Sequence, residues 1–396
     1  MSLVSTFFLK PALKKVLTLM ANKSHITSLY AMSGICLILF FTTCFACQKN
    51  DIPSGSNGNE NGLYFPPVMS SDWESVTPES LNWNTENLDD LYTHLASNGT
   101  RAFIILKSGK MVVERYWGNN ILDTAPFDQN TNWYWASAGK TITAFLVGLA
   151  QEDGLLNIQS KTSEYLGINW TGMPLEKEDL ITVRNQLTMT TGLDFDIPDV
   201  DCTDPPCLKY RADAGDQWYY HNAPYTLLGN VVSHASGKSY NQYTDDKLES
   251  KTGMNGTWIQ SGYNRVYWST ARDAARFGLL ILNKGTWDTN QILTDTSYFF
   301  AMVNTSQEHN PSYGFLWWLN GKTSTIFPGM ALPLPLPISP SAPNDLIAAM
   351  GKNGQFIDIV PSQELVVVRM GEAPDGSAVP IQFHDELWQL LITVIE

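Results

Sequence analysis

Charged residues and cysteines are both scarce in this sequence. Charged side chains occupy 16% of the 396 positions, and five cysteines are present. Of the charged residues, 39 are acidic and 25 basic, which gives a formal net charge of −14 at pH 7. A surface that binds nucleic acid needs clustered lysine and arginine, so nucleic acid is not an expected partner. The low cysteine content excludes a small scaffold held together by disulfides.

Apolar and aromatic residues are plentiful. Hydrophobic residues make up 43% of the chain and aromatic residues 12%, with 13 tryptophans. A chain of this length and composition buries a sizeable core, which excludes an intrinsically disordered protein. The combination of low charge and many amphipathic aromatic side chains favours an exported protein.

The amino terminus has the composition of an export signal. Residues 1–46 contain four lysines and no acidic residue, and the apolar run Ala31–Phe41 ends shortly before Cys47, although Cys44 stands where such signals usually have leucine. The run is shorter than the ~20 apolar residues that span a bilayer. We therefore predict a lipoprotein-type signal peptide over residues 1–46 and a lipid on Cys47, which would tether the protein to a membrane of the bacterial cell envelope.

Composition also divides the remainder of the chain. Residues 47–74 are rich in glycine, serine, asparagine and proline and predict a flexible polar linker. Residues 75–396 predict one folded domain. Within it, Cys202 and Cys207 flank a Pro-Pro loop, which in an oxidising compartment favours a disulfide. A zinc site is the alternative, but the six histidines offer no pair at ligand spacing, so no metal is expected.

Strand patterns occur at both ends of this domain. Near its start, Ala102–Leu106 and Met111–Arg115 flank a Ser-Gly turn and predict a hairpin. Near its end, Gln355–Val360 and Leu365–Met370 predict a second strand pair, followed by a helix over residues 380–395. The region between is mostly helical in pattern. We therefore expect an α+β fold in which N- and C-terminal strands form one antiparallel sheet flanked by helices, with a mainly helical region inserted.

Ser137 and Lys140 form an S-x-x-K motif at the start of a predicted helix. The spacing places the lysine amine one turn from the serine hydroxyl on the same helical face. A neutral lysine amine at this position can activate a serine nucleophile. Taken alone the motif is weak, because a helix-capping serine followed by an exposed lysine has the same pattern.

Two later segments carry further polar groups. Tyr220 and Asn222 lie two positions apart on a loop that enters a predicted helix. A phenol held near two ammonium groups would have a lowered pKa and could carry protons between nucleophile and leaving group. Lys352, Asn353 and Gly354 stand just before a predicted strand, where a cation could hold a substrate carboxylate and a glycine would let substrate approach the backbone.

In this order the motifs resemble those of the serine β-lactamase and penicillin-binding-protein superfamily. The sequence looks most like the class C β-lactamase-related hydrolases, a group with esterases, D-amino-acid peptidases and 6-aminohexanoate-oligomer hydrolases. Four further stretches carry the resemblance: Ile181–Leu193, Tyr225–Gly229, Ser269–Leu280 and Tyr313–Trp318.

The resemblance implies a role for each motif residue. Ser137 would be the acylated nucleophile, Lys140 its proton acceptor, and Tyr220 the general base and acid of the two half-reactions. Asn222 would orient Lys140 and a substrate amide. The oxyanion hole would be made by the backbone N–H groups of Ser137 and Gln355. No cofactor is implied.

Two features depart from the pattern or compete with it. The third motif reads Lys-Asn-Gly instead of Lys-Thr-Gly, which weakens the carboxylate-binding role of Lys352. A literal Lys-Thr-Gly occurs at 251–253, but it follows a predicted helix and is not expected to act as the motif.

No G-x-S-x-G elbow is present, so a Ser-His-Asp triad of the α/β-hydrolase type is disfavoured.

The sequence therefore predicts an exported serine hydrolase acting on a small amide or ester. Tryptophans in or beside the motifs are expected to line an apolar cleft, with core packing as the alternative, and they favour an esterase, linear-amide or D-peptide hydrolase over a dedicated β-lactamase. The tryptophans in question are Trp133, Trp135, Trp218, Trp317 and Trp318. The alternative function is a non-catalytic envelope lipoprotein that binds ligands with the same fold.

Overall fold

A computed structural model describes residues 62–377 and 379–396 of the chain. The predicted signal peptide, Cys47 and the first part of the predicted linker lie outside these residues. Within the described ranges, no helix combines the length and the hydropathy needed to cross a membrane.

The strands of the described chain form one large sheet and two small ones. The large sheet has six strands in the order β2-β1-β11-β10-β9-β8, and every neighbouring pair is antiparallel. The order confirms that strands from the two ends of the domain meet. The strands are β1 Thr100–Lys107, β2 Lys110–Tyr116, β3 Trp133–Tyr134, β4 Thr257–Ser261, β5 Asn264–Ser269, β6 Thr286–Trp287, β7 Asn290–Gln291, β8 Trp318–Leu319, β9 Ile347–Gly351, β10 Gln355–Val360 and β11 Leu365–Gly371.

Most helices come from the region inserted between β2 and β9, as predicted. The first and last helices, by contrast, belong to the chain ends. The helices are α1 Leu88–Ser97, α2 Lys140–Glu152, α3 Ser163–Leu166, α4 Leu175–Glu178, α5 Val183–Leu187, α6 Asn222–Ser236, α7 Tyr240–Thr244, α8 Ser250–Thr252, α9 Ala271–Leu282, α10 Thr296–Met302 and α11 Ile381–Ile395.

Helices cover both faces of the central strands. Every residue of β10 and β11 is buried, which explains why their sequences are nearly continuous apolar runs. On one face α9 packs closely against β10 and β11 at Gly278, which has no side chain. A Cβ at this position would lie 2.4 Å from Val366 Cγ1 and 3.2 Å from Ile357 Cγ2. On the other face Phe356 contacts the ring of Phe383 in α11.

The segment before α1 is part of the folded domain. Leu63 is buried, and the backbone N–H of Tyr64 donates to Ser108 O at 3.0 Å. The Arg276 guanidinium donates to the carbonyl oxygens of Pro67 and Ser70, both at 3.0 Å. The boundary predicted at residue 75 is therefore wrong, because residues 62–74 pack against the sheet and α9 and do not act as a free linker.

A buried polar contact joins α11 to the sheet. The Asp358 carboxylate on β10 accepts from His384 Nε2 at 2.7 Å and from Trp388 Nε1 at 2.8 Å. All three side chains are fully buried. Asp358→Ala is expected to destabilise the fold by about 3–5 kcal/mol, because it leaves two buried donors without their acceptor. Urea and thermal unfolding measure the change.

The matched control is an exposed contact of similar length. Lys161 Nζ and Asp179 Oδ2 are 2.8 Å apart, and about half of each side chain is exposed. Asp179→Asn is expected to leave the unfolding midpoint unchanged, because solvent screens such pairs. Equal effects of the two substitutions would contradict the structural role assigned to Asp358.

Candidate active site

Ser137 lies on a short 3₁₀ turn, Ala136–Gly139, that runs directly into α2. Ala136 adopts a positive φ of 48°, a strained backbone conformation for a residue with a side chain. The turn leaves Ser137 partly accessible, whereas Lys140 is only 3% exposed. Lys140 Nζ donates to Ser137 Oγ at 2.9 Å. The structure therefore brings a reachable hydroxyl and a buried amine into direct contact.

The surroundings of Lys140 favour the neutral amine. Burial lowers the pKa of Lys140 to about 7, and the negative charge of Asp201 acts in the opposite direction. The amine lies over the rings of Tyr220 and Tyr225, at 5.0 Å and 4.2 Å from their centroids. An amine that titrates near neutral pH can accept the proton of Ser137.

Tyr220 lies just before α6, beside the same pair. Burial raises the pKa of the Tyr220 phenol, and its hydrogen bond with Ser137 only partly opposes this. The prediction of a lowered phenol pKa is therefore wrong, because burial outweighs any effect of nearby cations. Tyr220 is a phenol at neutral pH, so Lys140 is the stronger candidate for the base and Tyr220 for the proton carrier.

Asn222, the first residue of α6, is bound differently from the prediction. Its Nδ2 donates to Asp201 Oδ1 at 2.7 Å, while its buried Oδ1 has no partner among the residues that the structure describes. The Lys140 amine donates to Ser137 and the Asn222 amide to Asp201, so Asn222 does not orient Lys140 here. Asp201 was not predicted as a site residue. Its position next to Cys202 is the one local feature of the sequence that could have indicated it.

His221, between Tyr220 and Asn222, is buried and uncharged at neutral pH. Burial lowers the pKa of His221 to about 4, against the opposing charges of Asp201 and Asp194. Its Nε2 has no hydrogen-bond partner within the described chain. Two unpaired polar atoms, one on His221 and one on Asn222, thus lie next to each other in the sequence beside the catalytic candidates.

The third predicted motif lies on a turn. Lys352–Gly354 forms a 3₁₀ turn between β9 and β10, with the Lys352 side chain exposed. Asn353 has a positive φ of 65°, and its Nδ2 donates to Tyr134 Oη at 2.7 Å. The buried Arg369 fixes the turn by donating to Asn353 O at 2.6 Å and to Gly354 O at 3.0 Å. The triplet therefore does not occupy the strand position that the resemblance implied.

Gly354 and Gln355 also make contacts that stabilise the fold and do not contact a substrate cleft. A Cβ on Gly354 would lie 2.7 Å from Arg369 Nη1, so the group that approaches this glycine is a guanidinium and not a substrate. Gln355 is buried, donates from Nε2 to Gly371 O at 2.7 Å, and accepts from Gly371 N–H at 3.0 Å. Its side chain ties β10 to β11.

Gly351, at the end of β9, is a glycine that packs against the backbone of Ser137. A Cβ there would lie 2.6 Å from Trp135 O, 2.9 Å from Ala138 N and 3.2 Å from Ser137 N. Gly351 was not predicted as a site residue, because the Lys-Asn-Gly triplet that follows it matches the motif better. In the structure, Gly351 has the place on a strand that the resemblance gives to the motif glycine.

Gly351→Ala is expected to lower kcat/KM by about 10²-fold, because the added methyl group pushes the Ser137 turn away from β9. Steady-state kinetics on an activated ester measure the loss. Gly376→Ala is the matched control, since a Cβ at Gly376 meets nothing within 4 Å. Equal activity in the two variants would show that the close approach at Gly351 does not matter for catalysis.

The prediction that tryptophans line an apolar cleft is largely wrong. Trp133, Trp135 and Trp317 are buried in the core, and Trp135 Nε1 donates to Ser269 Oγ at 2.9 Å. Trp318 is also buried, but its ring stacks on Tyr220 with centroids 5.7 Å apart. The alternative of core packing therefore explains most of these residues.

A surface cavity of about 680 Å³ opens away from this site. Its lining includes Glu249, Asp273 and Arg276 but none of the motif residues. These groups are engaged within the protein; for example, Arg276 binds backbone carbonyl groups and Glu249 accepts from the Tyr267 hydroxyl. The chemistry described above, and not cavity size, therefore locates the candidate active site.

A comparison with known families identifies the family of this chain. The family model described as Beta-lactamase matches residues 89–378. The chain belongs to the Beta-lactamase family. The match includes Ser137, Lys140 and Tyr220, so all three residues of the candidate site lie inside the family's region.

Relatives of this Beta-lactamase-family chain are distant. An uncharacterized protein of Alkalihalophilus pseudofirmus is 25% identical over 304 residues, which is 69% of this chain and 83% of that protein. A solved structure from Bacillus anthracis, described as “Putative 6-aminohexanoate-dimer hydrolase”, has a TM-score of 0.62 at 18% identity and covers 84% of this chain and 89% of its own. A class C β-lactamase gives 0.59 at 19%, covering 78% and 96%.

These structural matches confirm the predicted fold, an antiparallel sheet with flanking helices of the β-lactamase type. Family and fold together place the protein among serine hydrolases that act on amide or ester bonds.

Proposed function

We propose that this Beta-lactamase-family protein is an exported hydrolase that cleaves a small amide or ester through an acyl-enzyme on Ser137. The observation that carries the proposal is the 2.9 Å hydrogen bond between Lys140 Nζ and Ser137 Oγ, made by a buried amine whose pKa lies near 7. A serine paired with a base that is neutral at physiological pH has what acyl transfer requires.

The reaction would proceed in two halves. Ser137 Oγ bonds to the substrate carbonyl carbon while Lys140 Nζ takes the hydroxyl proton. As the bond between the carbonyl carbon and the leaving alcohol or amine breaks, Tyr220 gives its hydroxyl proton to the leaving group and takes the proton held by Lys140 in its place. A water molecule then attacks the acyl carbon and gives a proton to Lys140. The bond from that carbon to Ser137 Oγ breaks, the proton passes to Ser137 Oγ, and the acid is released.

The oxyanion would form beside the backbone N–H of Ser137. Because Gly351 is the glycine packed against this backbone, we assign the second donor to the N–H that follows it, on Lys352, in place of the predicted Gln355. Each such donor contributes about 3 kcal/mol to the transition state when judged by its removal.

The substrate is expected to be a linear amide, a D-peptide or an ester before a β-lactam. The exposed Lys352 on its turn is not the strand lysine that would hold a β-lactam carboxylate. The similar structure from Bacillus anthracis is described as a 6-aminohexanoate-dimer hydrolase, which supports an amide substrate. Partly exposed aromatic rings next to the site, Phe195 and Tyr219, stack at 3.8 Å and offer an apolar contact for such substrates.

Export and membrane attachment remain part of the proposal. They rest on the basic, apolar and small-residue pattern of residues 1–46 and on Cys47. The Cys202–Cys207 disulfide supports an oxidising compartment. The variant Cys47→Ala tests whether Cys47 carries a lipid. The protein is expected to move from the membrane fraction to the soluble fraction and to lose incorporation of labelled fatty acid.

Covalent labelling tests the catalytic proposal. A fluorophosphonate is expected to add one adduct mass to the chain, located by peptide mass spectrometry on Ser137. Turnover of nitrocefin, a short p-nitrophenyl ester and a D-alanyl or aminohexanoyl amide on one preparation then ranks the substrates. Absence of both the adduct and any acylation burst would instead favour the non-catalytic binding lipoprotein.

A further inference from the structure

A small loop closed by a disulfide lies against the start of α6. Cys202 and Cys207 are bonded to each other, and Cys202 is buried. The loop is also tied to α6 through the backbone, since Ala223 N–H donates to Val200 O at 3.3 Å. Asp201 lies between these two attachments, so its position is fixed from both sides.

Asp201 uses this position to hold Asn222. Its carboxylate accepts from the Asn222 amide nitrogen at 2.7 Å. A carboxylate accepts hydrogen bonds only, so this contact settles which end of the Asn222 amide carries the nitrogen. The Asn222 oxygen is then the free end, and it is buried without a partner in the described part of the chain.

Asp201 is also the carboxylate whose charge acts on the site. Lys140 faces the hydroxyl of Ser137 and the uncharged phenols of Tyr220 and Tyr225, and the charge that opposes its neutral form comes from Asp201. His221 faces the charges of Asp201 and Asp194. The loop therefore delivers a negative charge to two groups beside the nucleophile.

We propose that Asp201, held in place by the Cys202–Cys207 loop, is a positioning residue of the active site. Asp201 fixes the Asn222 amide by its nitrogen, leaves the amide oxygen free for a donor on the substrate, and faces Lys140 with a negative charge. This inference rests on the proposed function. An oriented amide oxygen suits a donor on the substrate, such as the N–H of an amide, and a nearby carboxylate stabilises the protonated lysine formed during acylation.

The pH profile separates this role from a purely structural one. A neighbouring negative charge raises the pKa of Lys140, and the base must be neutral to act. Asp201→Asn keeps an acceptor for Asn222 and removes the charge, so the acidic limb of kcat/KM against pH is expected to move about 0.5–1 pH unit lower. Asp196→Asn is the control, because Asp196 is an exposed carboxylate a few positions before Asp201 in the chain.

Two further arms test the hydrogen bond and the loop. Asp201→Ala removes both acceptor and charge and is expected to lower kcat about tenfold or more for an amide substrate, with Asp201→Glu restoring most of it. Reduction of the disulfide in the wild-type protein, verified by thiol titration, is expected to shift the acidic limb in the same direction as Asp201→Asn.

An acidic limb that stays at the wild-type pH in Asp201→Asn, with Ser137 still labelled by fluorophosphonate, would overturn the role of Asp201 alone. An unmoved limb after complete reduction would overturn the role of the disulfide. Failure of Ser137 to be labelled in the wild-type protein would instead overturn the proposed function, so the two failures are distinguishable.

Discussion

Ser137→Ala is expected to lower kcat/KM for an activated ester by about 10⁴–10⁶-fold, to the level left by binding and backbone donors alone. The substitution removes the hydroxyl that Lys140 contacts at 2.9 Å and leaves the turn and α2 without any new steric demand. Initial rates on a p-nitrophenyl ester, with fluorophosphonate labelling in parallel, measure the loss.

Folding controls make this result interpretable. Circular dichroism and the thermal midpoint of Ser137→Ala should match those of the wild type, because Ser137 is partly exposed and packs little surface. Ser137→Cys keeps a nucleophilic atom and should retain covalent labelling by a thiol-reactive acyl donor. Ester turnover in Ser137→Ala close to the wild-type rate would remove Ser137 from the mechanism.

Lys140→Ala is expected to lower kcat/KM by about 10³–10⁴-fold, because the serine then lacks its proton acceptor. In the wild-type protein the rate should rise with pH through about 7, since the pKa of Lys140 is lowered to about 7 and only the neutral amine accepts a proton. Lys140→Arg should be equally inactive, because a guanidinium stays charged across this range.

The matched control is Lys251→Ala, at the exposed lysine of the literal Lys-Thr-Gly triplet, which here ends the short helix α8. This variant should keep the wild-type rate and pH profile. A wild-type profile without an acidic limb near pH 7, or a Lys140→Ala variant with normal rates, would assign the base to another group.

Local sequence patterns predicted those elements whose side chains alone favour their structure. The strands β10 and β11 are rich in valine and isoleucine and were placed within a residue of their observed bounds. Strand β9 was missed because Ile-Ala-Ala-Met-Gly has little strand preference of its own. Its extended form depends on pairing with β10 and β8, which no local pattern contains.

The same distinction applies to the site. Ser137 and Lys140 are separated by one helical turn, so their contact follows from local geometry. Asp201 and Asn222 are 21 positions apart and meet only after the disulfide loop folds back on α6. The pKa of Tyr220 was predicted in the wrong direction because burial, which dominates it, is a property of the finished core.

The strand order of the large sheet also bears on how the chain reaches its native state. Strand β1 pairs with β2 on one side and with β11 on the other, and Arg369 of β11 donates to Thr100 of β1 across 269 positions. The hairpin β1–β2 can form early, but one edge of β1 stays unpaired until the distant strand β11 has been synthesised. Such non-local closure makes folding slow and leaves an aggregation-prone edge in the incomplete chain. Pairing with β11 is thus the step that covers the exposed edge of β1 and prevents other chains from pairing with it.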